Sequence, residues 1–213
     1  MIKAIFFDFD GVIVESTDIK TEAFAKLFER EGENIVKEVV AYHINNMGVS
    51  RFDKFRYIYK EILHKELSDD KFDALCKKFA SLVVSAVIRT PYVKGASEFL
   101  ERESDAYTFF VVSATPQDEI VDIVRRRGLA GLFKFVYGAP LTKSEAVRKI
   151  LKEEDIPSRD TVYIGDAMSD YLAAKDNGVK FIARIKDNEE IFAGIDCLKI
   201  ADLSGLTPLL ALL

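Results

Sequence analysis

The sequence predicts an α/β protein: a doubly wound parallel sheet with a block of helices inserted after its first strand. Three observations predict it. From residue 89 onward, short apolar runs alternate with segments of helical period, the order from which parallel sheets are wound. Residues 2–9 (IKAIFFDF) form an apolar run broken only by Lys3 and Asp8 and closed by Gly11, as a buried parallel strand should be. Roughly seventy residues of helical pattern then precede the second strand, far more than one crossover needs.

Each element follows from its own residues. After Gly11-Val12-Ile13-Val14, the cluster Ser16-Thr17-Asp18 supplies capping side chains, with Thr17 or Asp18 as the N-cap. Ala23, Phe24, Leu27 and Phe28 recur at helical spacing within residues 19–30. Further helices are predicted over 36–45, 51–63 and 68–87, the last with Phe72, Leu75, Phe79, Leu82 and Val83 on one stripe. Gly32-Glu33-Asn34 and Gly48 mark the breaks between them. Thr90-Pro91-Tyr92 ends the insertion, and residues 95–103 form a short helix leading back to the sheet. Residues 106–112 (AYTFFVV) are a second buried strand ending at Ser113, and Pro116 opens a helix that stops at Gly128. Strand 133–137, helix 143–153, strand 161–164, helix 168–176 and strand 179–184 continue the alternation. Residues 197–201 add an edge strand before a terminal helix at 203–213. The division expected is a core of residues 1–15 and 89–213 with a helical subdomain of residues 16–88.

Composition narrows the class. A hydrophobic content of 49% over 213 residues is enough for a sizeable core. The net charge of -5 gives no support for nucleic acid or an anionic membrane as partner. Cys76 and Cys197 lie far apart, without a CxxC or a histidine at metal spacing, and are expected to be buried or idle thiols. The chain enters a strand at once, without a basic leader, and no run reaches transmembrane length. A cytoplasmic location is the expectation.

In an open parallel sheet, ligands bind beyond the carboxyl ends of the strands. The polar residues at those ends are Asp8 and Asp10, Ser113, Lys143, and Asp166 with Asp170. Each has a plain explanation alone: Ser113 as a helix cap, Lys143 as a solvated first-turn lysine, Asp166 and Asp170 as a capping pair. Asp8 resists one, because a carboxylate at the end of a core strand needs a cation or hydrogen bonds to offset its desolvation. Asp8 and Asp10 stand two apart and leave an extended backbone on one face, where a hard divalent cation would relieve their repulsion. Gly11 permits a sharp turn and close approach of a ligand there. Together these groups suit the binding of a phosphate through a metal.

Phe7-Asp8-Phe9-Asp10-Gly11-Val12 resembles the DxDG(T/V) motif of the haloacid dehalogenase (HAD) superfamily. Ser113 resembles its second motif, Lys143 its third, and Gly165-Asp166-Ala167-Met168-Ser169-Asp170 the GDxxxD form of its fourth. The motifs follow in order along the whole chain, and the helical insertion stands where a branch of that superfamily has a C1-type cap. The resemblance implies a Rossmann-like core and a magnesium-dependent phosphatase for a small phosphorylated metabolite, a phosphosugar or a phosphoglycolate-like ester. Asp8 would then attack phosphorus to give an aspartyl-phosphate, with Asp8, the backbone carbonyl of Asp10 and Asp166 holding Mg2+. Asp10 would protonate the leaving alkoxide and later take a proton from water. Ser113 and the amide of Ala114 would hold phosphoryl oxygens, Lys143 would counter their charge, and Asp170 would orient the shell. A carboxylate at position 10 implies phosphate esters rather than dehalogenation or phosphonate cleavage. Ser113-Ala114-Thr115-Pro116 departs from the Thr-Asn or Ser-Asn of many phosphatases and lacks that side-chain amide.

Gly48-Val49-Ser50-Arg51 resembles a GVSR segment of β-phosphoglucomutase, which makes a phosphosugar mutase the alternative. Against it, Lys20 stands where the mutase has a histidine, twelve residues after the nucleophile. Lys20 and Arg51 are expected to bind substrate, and two such cations imply a second negative group on it. A non-catalytic phospholigand-binding protein is the reading from another class. The expected partner is a small phosphate ester, with neither nucleic acid nor membrane.

Overall fold

The computed structural model describes residues 1–186 and 189–213. Six parallel strands form one sheet: β1 (Ala4–Phe7), β2 (Thr108–Pro116), β3 (Phe133–Ala139), β4 (Thr161–Gly165), β5 (Lys180–Arg184) and β6 (Leu198–Ile200). Their order is β3-β2-β1-β4-β5-β6, so the winding reverses between β1 and β4. β1 lies at the centre, with Phe6 opposite Phe110 of β2 and Tyr163 of β4. Its four residues are fully buried. Ile5 and Phe7 pack into the larger core on one face, and Ala4 and Phe6 into the smaller core on the other, which is why the run lacks polar alternation.

The helices are α1 (Thr17–Leu27), α2 (Glu33–Asn45), α3 (Arg51–Tyr57), α4 (Asp69–Arg89), α5 (Ala96–Glu103), α6 (Gln117–Arg126), α7 (Lys143–Glu153), α8 (Met168–Asp176) and α9 (Leu206–Leu210). The first four lie between β1 and β2 in the chain and pack on one another. Phe24 of α1, Phe55 of α3 and Phe79 of α4 meet there with ring centroids 4.8 to 6.0 Å apart. The two strands of chain joining insertion to sheet run side by side, with Glu15 N–H donating to Pro91 O at 3.0 Å and the Thr90 hydroxyl to Glu15 O at 3.0 Å.

Several boundaries differ from the sequence expectation. Ser16, rather than Thr17 or Asp18, occupies the N-cap of α1, and its hydroxyl donates to Asp10 instead of accepting from the helix. The helix expected over 51–63 changes at Ile58–Ile62 to π geometry, with Leu63 N–H bonded to Ile58 O. β2 continues past Ser113 to Pro116, which pairs with Ala139 across a register shift. The terminal helix is shorter than 203–213, since α9 spans Leu206–Leu210. Both cysteines are free. Among the described residues, no helix is long and apolar enough to cross a membrane.

Candidate active site

The loops leaving β1, β2 and β4 meet at the carboxyl edge of the sheet, beneath the helical insertion. β1 delivers Asp8, whose N–H continues the ladder to Ile164 O at 3.0 Å. The Asp8 side chain is buried; its Oδ1 accepts from Phe9 N–H at 2.7 Å and its Oδ2 from the Lys143 ammonium at 2.9 Å. Lys143 comes from the first residue of α7, fixed by a capping box between Thr142 and Glu145. Its ammonium also donates to Asp170 Oδ1 at 2.6 Å, while Asp170 Oδ2 accepts from Ala167 N–H at 3.1 Å. One lysine therefore serves two buried carboxylates, and Asp170 spends its second oxygen on the amide ahead of α8.

Asp8, Asp166 and Asp170 have carboxylate oxygens within 4.8 Å of one another. Burial first, then the Asp170 and Asp10 charges, push Asp8 up to about 7 against the pull of Lys143. Burial and the Asp8 and Asp170 charges likewise raise Asp166 well above the usual carboxylate range. Burial would lower Lys143, but Asp170 and Asp8 outweigh it and hold that amine above an ordinary lysine. Three buried carboxylates facing one ammonium fit a divalent cation with oxygen ligands. Gly11, at φ +78°, is part of that fit: a Cβ there would stand 2.0 Å from Asp166 Oδ2. The three carboxylates can hold a metal ion.

Asp10 sits apart from this triad, because the chain turns at Gly11 and β1 has already ended. It accepts from Ser16 Oγ at 2.6 Å, Thr115 Oγ1 at 3.0 Å and Lys20 Nζ at 2.5 Å, and Lys20 also donates to Thr115 Oγ1 at 3.0 Å. Ser113 is buried, and its Oγ accepts from Thr115 N–H at 3.1 Å.

Asp8, Asp10, Lys20, Arg51, Ala114 and Asp166 all line one cleft between the sheet edge and the insertion. Phe24, Phe79, Val83, Val87 and Ile123 give it an apolar wall. Arg51, on α3, is buried, and its guanidinium grips Glu119 of α6: Nη1 donates to Oε2 at 2.9 Å and Nη2 to Oε1. The cleft thus gathers six of the sequence-predicted residues, with Arg51 already committed to a carboxylate, while Ser113, Lys143 and Asp170 are buried and do not line it.

Residues 5–184 match the family described as haloacid dehalogenase-like hydrolase. The chain belongs to that family. The phosphorylated carbohydrates phosphatase of Thermotoga maritima is 25% identical over 187 residues, 85% of this chain and 84% of its own. Among solved structures, β-phosphoglucomutase of Clostridium difficile superposes with a TM-score of 0.78 at 19% identity, covering 97% of this chain and 93% of its own. A predicted phosphoglycolate phosphatase of Haemophilus somnus superposes at 0.75 with 16% identity, over 98% and 97% of the two chains. The HAD fold explains why the four motifs converge, since each sits at the carboxyl end of a parallel strand or in the loop beyond it.

Sequence reasoning missed five residues in or behind this HAD cleft. Ser16 and Thr115 hold Asp10, Glu119 holds Arg51, and His43 and Lys54 form a buried pair in the insertion. Ser16 reads from sequence as a capping residue, and Glu119, His43 and Lys54 carry no local signal that points to the cleft. Only Thr115, two residues beyond Ser113 in a strand-end segment, carried a local hint.

Proposed function

We propose that this HAD enzyme is a magnesium-dependent phosphatase for a small phosphorylated metabolite, working through an aspartyl-phosphate on Asp8. It is a phosphoric monoester hydrolase; the metal, the intermediate and the substrate class are the proposal. The observation that carries it is the pairing of two differently held carboxylates on one cleft. Asp8 is locked between an amide and Lys143, while Asp10 is held separately by Ser16, Thr115 and Lys20.

Asp8 attacks phosphorus in line as the bond to the leaving oxygen breaks, and Asp10 gives that oxygen its proton. Water then attacks the aspartyl-phosphate, its proton passes to Asp10, and Asp8 is released with inorganic phosphate. Mg2+ held by Asp8, the carbonyl of Asp10 and Asp166 would neutralise phosphoryl charge when bound. Asp170 keeps Lys143 against Asp8, and the Ser113 hydroxyl with the Ala114 amide takes phosphoryl oxygens. Burial raises Asp10, but Lys20 and the hydroxyls of Ser16 and Thr115 outweigh it and hold the carboxyl below its usual range. A leaving group that draws Lys20 away removes the main support of that charge and lets Asp10 carry a proton. The division into a core of residues 1–15 and 89–213 and a cap of residues 16–88 belongs to this reading, with Lys20 and Arg51 as the cap's substrate-facing cations. Arg51 serves substrate only when Glu119 lets go.

The test is release of inorganic phosphate from p-nitrophenyl phosphate and a panel of phosphosugars and phosphoglycolate, with and without EDTA. Turnover that requires magnesium and is lost in Asp8→Asn is the expected result. Turnover in EDTA at the full rate would remove the metal, and an active Asp8→Asn would remove the nucleophile. Isomerisation of a phosphosugar without phosphate release would favour the mutase.

A further inference from the structure

Three cations from the cap line the cleft among the described residues: Lys20, Arg51 and Lys54. Lys20 is neutralised by Asp10, and Arg51 by Glu119. Lys54 is different. It is 3% exposed, and its ammonium meets His43 Nδ1 at 2.8 Å and, weakly, His43 O at 3.5 Å, with no carboxylate of the described residues in ion-pair contact. The imidazole is itself buried and lies against Phe24, centroids 4.6 Å apart. The ammonium stands 5.5 Å from the same ring. Two neutral aromatic neighbours do not replace the solvation that an ammonium loses on burial.

A buried cation without a counter-ion is costly, and proteins retain it where a ligand completes the pair. The surroundings say which side of the ligand this is. Lys54 on α3 and His43 on α2 face the same cleft as Lys20 on α1, and Lys20 touches Asp10, the group that serves the leaving oxygen. Lys143, which does not line the cleft, is already shared between Asp8 and Asp170.

We infer that Lys54, oriented by His43, receives a second negative group of the substrate, a carboxylate or a second phosphate on the leaving-group side. The inference rests on the phosphatase reading and names the substrate class within it: phosphate monoesters with a distal anion. Burial, with the Lys20 and Lys143 charges adding to it, pushes Lys54 down to about 7. Burial and the charges of Lys54 and Lys20 push His43 down to about 3, so the imidazole is neutral and its Nδ1 accepts from the ammonium. An anion arriving between Lys54 and Lys20 would relieve both the desolvation and the repulsion of two like charges.

The test compares matched esters with and without the distal anion: 3-phosphoglycerate against glycerol 3-phosphate, and glucose 1,6-bisphosphate against glucose 6-phosphate. The first pair probes a carboxylate and the second a phosphate. Wild type should prefer the anion-bearing member of at least one pair by ten-fold or more in kcat/KM. Lys54→Met, which keeps the volume and removes the charge, should erase most of that preference, chiefly through KM, and Lys54→Arg should restore part of it. Thermal unfolding of Lys54→Met at neutral pH should show a fold at least as stable as wild type, since a buried lone charge has been removed. Equal losses on both members of each pair, or a destabilised Lys54→Met, would assign Lys54 to the fold and overturn the inference alone. Wild type that prefers neither anion-bearing ester while hydrolysing the neutral ones would also overturn it alone. Wild type that releases no phosphate from any of the four esters or from p-nitrophenyl phosphate would overturn the phosphatase reading as well.

Discussion

Burial by itself would raise Asp10, yet one ammonium and two hydroxyls hold its carboxyl low. The largest lowering influence is Lys20, so the resting group is a carboxylate because of one cap residue. Lys20→Met should therefore raise the Asp10 pKa. If Asp10 in its ionised form takes the proton of water, the acidic limb of the pH profile of kcat should move to higher pH in that variant. A profile that kept its acidic limb in place would separate Lys20 from Asp10 function. Asp8 shows the reverse arrangement: burial raises it, the Asp170 and Asp10 charges add to that, and one lysine does not offset them. Asp166→Ala should accordingly raise the magnesium needed for half-maximal rate, measured by titration of the metal at fixed substrate.

Helix α3 carries Arg51 and Lys54 three residues apart, which places both on one face. From sequence alone, a helix with Lys54 and Arg56 near Arg51 reads as a solvated face. Arg56 does lie out, 62% exposed, while Lys54 is buried against His43 of α2 and Phe24 of α1, and Arg51 against Phe79 of α4 and Glu119 of α6. The strands were legible because a centrally buried strand has no polar face to disguise it, and the core motifs were legible because topology fixes where strand ends meet. The electrostatics of α3 were not, since pairs such as Arg51 with Glu119 or Lys54 with His43 join segments 68 and 11 residues apart. Lys54 also provides a stability prediction with a definite sign. Its amine is held near 7 in the fold by burial and by Lys20 and Lys143, with neutral His43 as its bonded neighbour, against about 10.4 when unfolded. The unfolded chain thus binds more protons between those values, and the cost of burying Lys54 shrinks as pH rises through them. Lys54→Met should exceed wild type in Tm most at pH 7 and below, with the difference fading toward pH 10. A difference that stayed constant over that range would mean that Lys54 is protonated in the fold throughout.

At the scale of the molecule, helices α1–α4 are joined to the sheet by two hydrogen-bonded segments and bridged to it across the cleft by Lys20 with Asp10 and Arg51 with Glu119. Arg127, at the end of α6, donates to Val87 O, Ile88 O and Thr90 O at 2.8 to 2.9 Å, satisfying carbonyls at the end of α4. Arg127→Ala should cost about 1–3 kcal/mol, read by urea unfolding, because it leaves those acceptors without their donor where α4 ends against α6. Closer to the chemistry, Gly48 approaches the start of α8, the turn between Asp166 and Asp170. A Cβ at position 48 would lie 2.2 Å from Ser169 Oγ and 2.9 Å from Ala167 Cβ. The Ser169 hydroxyl can rotate away, but Ala167 Cβ belongs to a buried residue that cannot. Gly48 also sits at φ +78°, where a side chain costs about 1–2 kcal/mol. Gly48→Ala should therefore push the loop before α3 away from the start of α8. The expected result is a loss of at least ten-fold in kcat/KM shared by p-nitrophenyl phosphate and larger esters, together with a larger radius of gyration in solution scattering. Unchanged kinetics and an unchanged radius would mean that the loop absorbs the methyl group, and that closure over Asp8 does not depend on this contact.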